Sequence, residues 1–315
     1  MGLWSWGDSY TWGHGGYDAT LTAATMQEAY QAALQGGCNL FDTAESYGAP
    51  FHWGASERYL ANCMQAAGGD QAAGSGLRPV VVSKYIPLPW RLFEPRCMLA
   101  ALRSSVDRLG VDAVDCYLVH SPVATLRSIK TLASSLAAAV DSGLAKSVGV
   151  SNYSEAEVRE THRVLAERGI PLAVNQVEFS LCHALPARSG LLDACNELGV
   201  SVMAYSPLAM GRLTGKYSST NKPQGARRFG DCGFDQIQPI VERLAALGQA
   251  HGGKTPAQVA LNWLICKGAV PIPGAKSATQ AQSNVGALGW RLTEGDVAEL
   301  DELAIEGSLK FGQHG

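Results

Sequence analysis

No two cysteines are spaced as CxxC, no apolar run approaches the ~18 residues of a membrane span, and neither sign of charge dominates. The longest apolar stretch, near 200–210, is broken by Ser and Pro. Each lack excludes a class. Eight cysteines, at 38, 63, 97, 116, 182, 195, 232 and 266, form neither a zinc ribbon nor a dithiol pair, and no metal site is expected. Most of them sit in apolar patterns as small core residues, and a chain of 315 residues buries a core without disulfides, which favours a reducing compartment. Lys and Arg number 25 against 28 Asp and Glu, a net charge of −3, so the clustered cations that nucleic acid requires are lacking. The opening Gly-Leu-Trp-Ser-Trp-Gly has neither the basic region nor the apolar core of a signal peptide. What is present, 46 % hydrophobic and 17 % charged residues, is a globular mix. It predicts a soluble protein that engages neither membrane nor nucleic acid.

Short apolar runs recur along the chain: MGLWSW at 1–6, NLFDTA at 39–44, PVVVSKY at 79–85, DCYLVHS at 115–121, KSVGVSN at 146–152, LAVNQVEF at 172–179, VSVMAYSP at 200–207 and AVPIPG at 269–274. Several are apolar at consecutive positions, as strands covered on both faces must be. Helical periodicity fills the gaps, as over 94–109, where 99, 102, 106 and 109 mark one face. Ser154 with Glu157 forms a capping box, and Gly143, Gly199 and Gly268 stand where helices close in a left-handed residue. Eight strands alternating with helices, without GxGxxG after the first, predict a single-domain α/β fold over 1–315, a (β/α)8 TIM barrel. A polar stretch at 68–79 reads as a surface loop. The long loop after strand seven, 211–233, is either a flap over an anionic ligand or a surface insertion. Residues 293–304 read as an extra C-terminal helix and FGQHG, 311–315, as a frayed tail.

Barrel enzymes carry their reacting groups where strands end. Those positions hold Asp42 and Tyr47 after the second strand, Lys84 after the third and His120 after the fourth. Singly, each has a structural reading: a turn cap, a packed ring, a solvated cation, a hydrogen-bonded imidazole. Four ionisable groups after three successive strands converge on one mouth.

FDTAESYG, SKY, LVHSP, GVSNYS, NQVEFSL, AYSPLAMG, LTGKY and PIPGAK, in this order, resemble the aldo-keto reductase superfamily over nearly the whole chain. WSWGDSY, SNYSEAEVRE, ELGV and PIPGAKSATQAQ most resemble its plant and algal plastid members, NADP-linked oxidoreductases, which implies a chloroplast location, with cytoplasm the alternative. The resemblance implies NADPH-dependent reduction of aldehydes or ketones to alcohols. Tyr47 is then the general acid, Lys84 the neighbouring charge that favours its phenolate, Asp42 the partner of Lys84, and a neutral His120 the donor that orients the substrate oxygen. Among cofactor contacts, Ser151, Asn152 and Gln176 correspond to the nicotinamide carboxamide clamp and Tyr205 to the ring stacked on the nicotinamide. Ser206, Pro207, Leu208 and Gly211 belong to the pyrophosphate loop. Lys216 and Arg227 either meet the pyrophosphate or are solvated. Lys276 and Ser277, after Gly274, match the reader of the adenosine 2′-phosphate, and Gln280 and Asn284 the adenine end; a cation there favours NADPH over NADH.

Two departures from the family pattern stand out. Ser283 occupies a position where many members have Glu, which weakens an adenine or ribose contact. The β-hairpin that usually precedes the first strand is absent, so an N-terminally shortened sequence without hairpin or transit peptide, and a less stable barrel floor, are expected. Trp4, Trp6, Tyr10, Trp12, Trp53 and Trp90 cluster after the first three strands; Trp6 and Trp90 either contact substrate or pack. The expected partner is a small carbonyl compound, and oligomeric state is left open. Another reading is a regulatory subunit that binds cofactor with little turnover, like the potassium-channel β subunits; His120 stands where those carry Asn. A Schiff-base role for Lys84, as in aldolase-type barrels, conflicts with the cofactor motifs.

Overall fold

The computed structural model describes residues 1–7, 20–49, 51–68, 76–122, 126–222 and 232–315. Among these, seven parallel strands form one curled sheet in chain order: β1 (Leu40–Asp42), β2 (Val80–Tyr85), β3 (Cys116–Val119), β4 (Val148–Ser151), β5 (Leu172–Glu178), β6 (Ser201–Tyr205) and β7 (Val270–Pro271). Helices alternate with them, among them Ala55–Ala66, Arg96–Leu109, Ile129–Asp141 and Glu155–Ala166, and Glu294–Leu303 follows near the end. Gly143, Gly199 and Gly268 adopt φ of +74°, +68° and +79°, the left-handed conformation that their position before a strand requires. Ser154 N donates to Glu157 Oε2 at 2.9 Å at the start of Glu155–Ala166.

The first apolar run is not a strand through residue 6. Gly2 bridges Asp42 on one side and Gly274 on the other, its N–H donating to Pro273 O at 3.0 Å while Leu3 N donates to Asp42 O at 2.8 Å. The chain then coils into one helical turn, Trp4–Gly7. That turn tucks the fully buried Trp6 beneath the rim, where its indole N–H reaches Ala275 O at 2.8 Å. The run at 269–274 is likewise strand only over Val270–Pro271, because Pro271 and Pro273 have no N–H to give a ladder.

Two apolar layers result. One lies between sheet and helices. The other fills the inside of the curl with Val82, Cys116, Leu118, Val174, Met203 and Ile272, Leu40 at its edge. Side chains two residues apart on a strand share a face. Stepping two positions on from Leu40, Val82, Leu118, Val174, Met203 and Ile272 gives Asp42, Lys84, His120, Gln176, Tyr205 and Gly274. The inner plug thus forms the floor beneath the polar residues.

β4 contributes Gly149 to this layer, and a Cβ there would lie 2.4 Å from Val174 Cγ1 and 2.6 Å from Leu118 Cδ2. Gly149→Ala is expected to cost about 1–3 kcal/mol by overpacking, seen as a lower urea midpoint; an unchanged midpoint would mean that β4 shifts without penalty.

Candidate active site

Lys84 is fully buried at the end of β2 and its ammonium spends its three donors on Asp42 Oδ2 at 2.7 Å, Thr43 O at 2.8 Å and Tyr47 OH at 3.0 Å. The second Asp42 oxygen accepts from Gln176 Nε2 at 2.7 Å. Burial pulls the Lys84 pKa down from its ordinary value, and the Asp42 carboxylate opposes that pull. Because Lys84 donates to the phenol oxygen, the phenolic hydrogen is left to be given elsewhere, and the ammonium stabilises the anion that remains.

Tyr47 stands on the loop after β1. Its backbone N–H donates to Ala44 O at 3.2 Å, and Gly48 follows at φ +107°, where a Cβ would lie 2.1 Å from His52 O. The same loop is tied to the next: Glu45 accepts from Ile86 N at 2.9 Å and from Arg91 Nη2 at 3.1 Å. The Tyr47 ring meets His120 edge-on at 5.7 Å, and Trp4 at 6.4 Å. Trp4, not Trp6, therefore lies against the tyrosine. Adjacent aromatics in a short run cannot be told apart by composition; which one turns inward depends on the helical turn.

His120 is held by its backbone, N–H to Tyr85 O at 2.8 Å and carbonyl from Asn152 Nδ2 at 3.0 Å. Burial, with the Lys84 charge adding to it, lowers its pKa to about 3. A histidine neutral when folded but free to bind a proton at its ordinary ~6.5 when unfolded loses stability as pH falls from about 6.5 toward 3. His120→Gln removes this term, so its stability is expected to fall less steeply over that interval, by up to about 1.4 kcal/mol per pH unit and less for so much of the half-buried residue as solvent reaches. Parallel wild-type and variant urea midpoints from pH 7 to about 4 would contradict it.

Beside the tetrad, Ser151 Oγ donates to Gln176 O at 2.8 Å, Asn152 Nδ2 donates to Ser151 Oγ at 3.1 Å, and Tyr205 OH donates to Asn152 Oδ1 at 2.9 Å. Asn152 sits at φ +64°, one of the few side chains that tolerate that region. After β6 the backbone turns left-handed at Ser206, Ala209, Met210 and Gly211, with φ from +47° to +98°. Pro207 is buried there and Leu208 half-buried against the core. Three non-glycine residues held in this region are a local strain of the kind that folds keep at binding loops. Lys216 is exposed, its ammonium 5.3 Å from the Tyr217 ring.

Farther round the rim, Ser277 caps the helix Ala278–Val285, Lys276 N donates to Gln280 Oε1 at 2.8 Å, and Asn284 Nδ2 donates back to Gly274 O at 3.2 Å. Ser283 gives its carbonyl to Gln258 Nε2 at 3.0 Å.

The structure brings Asp42, Tyr47, Lys84 and His120 together, and places Ser151, Asn152, Gln176 and Tyr205 in one network that reaches Asp42. Gly274, Lys276, Ser277, Gln280 and Asn284 form a second group, and Ser206–Gly211 and Lys216 a third. Trp6 is core, not cleft; Trp90 is 71 % exposed and Trp53 37 %. Tyr10, Trp12, Arg227, most of the 68–79 loop and 223–231 of the long polar segment lie outside the described residues.

The C-terminal residues are not frayed. Gln313 is buried and its amide donates to Tyr205 OH and Glu178 Oε2, both at 2.7 Å, while His314 N donates to Asn152 O at 2.9 Å. Lys310 adds an ion pair to Glu178 at 2.8 Å. A short polar stretch without periodicity carries no signal for such docking.

The Aldo/keto reductase family profile matches residues 1–305. A chloroplastic pyridoxal reductase of Arabidopsis thaliana is 39 % identical over 311 residues, covering 97 % of this chain and 82 % of its own. Among solved structures, a thermostable aldo-keto reductase in complex with epalrestat matches with a TM-score of 0.72 at 26 % identity, covering 96 % and 93 % of the two chains. A Bombyx mori aldo-keto reductase in complex with NADP shares the fold at a TM-score of 0.72 and 23 % identity, covering 96 % and 87 %.

Proposed function

The chain belongs to the aldo/keto reductase family, and from that premise we propose that it reduces aldehydes and ketones to alcohols with NADPH, Tyr47 giving the proton that the oxygen receives. It is an NADP-dependent oxidoreductase, and its residues fit the cofactor chemically. Amide and hydroxyl groups of Ser151, Asn152 and Gln176 suit a carboxamide, the left-handed turns of Ser206–Gly211 suit a pyrophosphate, and Lys276 with the capped helix end at Ser277 suits a phosphate dianion. When bound, NADPH supplies the hydride that the carbonyl carbon takes.

The rest falls to the protein. Tyr47 protonates the developing alkoxide, Lys84 stabilises the phenolate left behind, and Asp42 keeps Lys84 in place. Neutral His120 donates a hydrogen bond to the same oxygen. The observation that carries this reading is the chain from Asp42 through the fully buried Lys84 to the half-buried Tyr47, of 2.7 and 3.0 Å. The same reading takes residues 1–3, bridged to both edges of the sheet, as the first of eight strands closing a barrel, with the expected loop after strand seven and C-terminal helix completing it. A plastid location follows the similarity to the Arabidopsis enzyme.

The test is the fall in NADPH absorbance with a panel of aldehydes and ketones, pyridoxal among them. Turnover with one or more is expected, and none with any of them refutes the reading. Lys276→Ala should raise the Kd for NADPH roughly 10–100-fold, the value of a charge-assisted contact, and leave NADH binding nearly unchanged in fluorescence titration. Equal loss for both dinucleotides would remove Lys276 from phosphate recognition.

A further inference from the structure

A neutral imidazole has one N–H and can donate from one nitrogen only. Which nitrogen carries the proton is set by the hydrogen bond that the other makes. In His120 the main chain is pinned on both sides, so the ring has little freedom beyond its own torsions. The hydroxyl of Ser46 lies 3.2 Å from His120 Nδ1.

Ser46 is itself fixed. It lies in the tight turn in which Tyr47 N donates to Ala44 O and Ala49 N donates to Ser46 O at 3.0 Å, with glycine enforced at 48. One turn therefore carries two chemical roles at consecutive positions: Tyr47 toward Lys84, Ser46 toward His120.

We propose that Ser46 is a positioning residue that donates its hydroxyl hydrogen to His120 Nδ1 and so holds the ring as the Nε2–H tautomer, with Nε2 as the donor to the carbonyl oxygen. No proton is transferred in this arrangement; Ser46 keeps its hydrogen and only shares it. The opposite tautomer turns a lone pair toward the substrate oxygen, acceptor against acceptor, and the ring can no longer polarise the carbonyl. The role of Nε2 toward a carbonyl oxygen rests on the carbonyl-reductase reading of the site, whereas the tautomer rests on the Ser46 contact. Its test does not depend on turnover.

Nitrogen-15-labelled histidine reports directly which ring nitrogen is protonated, and the His120 signals are assigned by their loss in His120→Gln. The wild-type protein is expected to show the Nε2–H form at His120. Ser46→Ala should give a mixture or the Nδ1–H form, and Ser46→Thr, which keeps the hydroxyl, should restore the wild-type pattern. In kinetics Ser46→Ala should lower kcat about tenfold with the Kd for NADPH unchanged, and Ser46→Thr should recover most of it. A wild-type Nδ1–H tautomer, or a spectrum indifferent to Ser46→Ala, overturns the proposal. The expected tautomers in a protein that turns over no carbonyl compound would instead sink the functional reading and leave the Ser46 assignment standing.

Discussion

Tyr47→Phe is expected to lower kcat for aldehyde reduction by about 10²–10⁴-fold while the Kd for NADPH stays within about twofold. The substitution removes one oxygen and keeps the ring, so the contacts with Trp4 and the edge of His120 persist. Lys84 loses one of three acceptors but keeps Asp42 and the Thr43 carbonyl, both within 2.8 Å. The local architecture therefore survives, and what disappears is the group proposed as the acid. The hydrogen bond proposed from His120 to the carbonyl oxygen is kept, and a residual rate is expected. Without the phenol, the proposed proton transfer has to be made by water, a poorer acid. Steady-state rates with the best aldehyde of the panel decide the matter. A kcat within about threefold of wild type would show that another group gives the proton, and the role assigned to Lys84 would fall with it.

The second large effect is on stability. Lys84→Met leaves Asp42, 1 % exposed, without its ammonium partner. The Gln176 amide still donates to one carboxylate oxygen, but an amide does not neutralise a charge. Breaking a buried ion pair from one side costs about 3–5 kcal/mol, because the remaining charge stays desolvated and uncompensated. Urea unfolding of Lys84→Met should show that loss. The double substitution Asp42→Leu with Lys84→Met removes both charges and should regain most of it, since a buried pair replaced by apolar groups of similar volume is close to neutral. A single variant as stable as wild type would mean that Asp42 is not held as a charge in the folded protein. Both variants should be inactive in carbonyl reduction, so the pair separates what the ion pair does for the fold from what it does for chemistry.

The strand runs and the convergence of Asp42, Tyr47, Lys84 and His120 after successive strands were legible in the chain, while the apolar floor two residues beneath them emerged with the sheet. Strand periodicity is a local property: once Val82 and Leu118 point inward, Lys84 and His120 must do so too. Capping at Ser154 and the left-handed glycines before strands are local for the same reason. Tertiary structure alone decided that Trp4 and not Trp6 flanks Tyr47, that Ser46 meets His120 and that Gln313 docks on Tyr205 and Glu178. Those contacts join residues 43 to 135 positions apart, set by how loops close over a mouth assembled from many strands. No short-range pattern of residue types encodes such a meeting, because its energy arises only when distant segments have already been brought to the same rim.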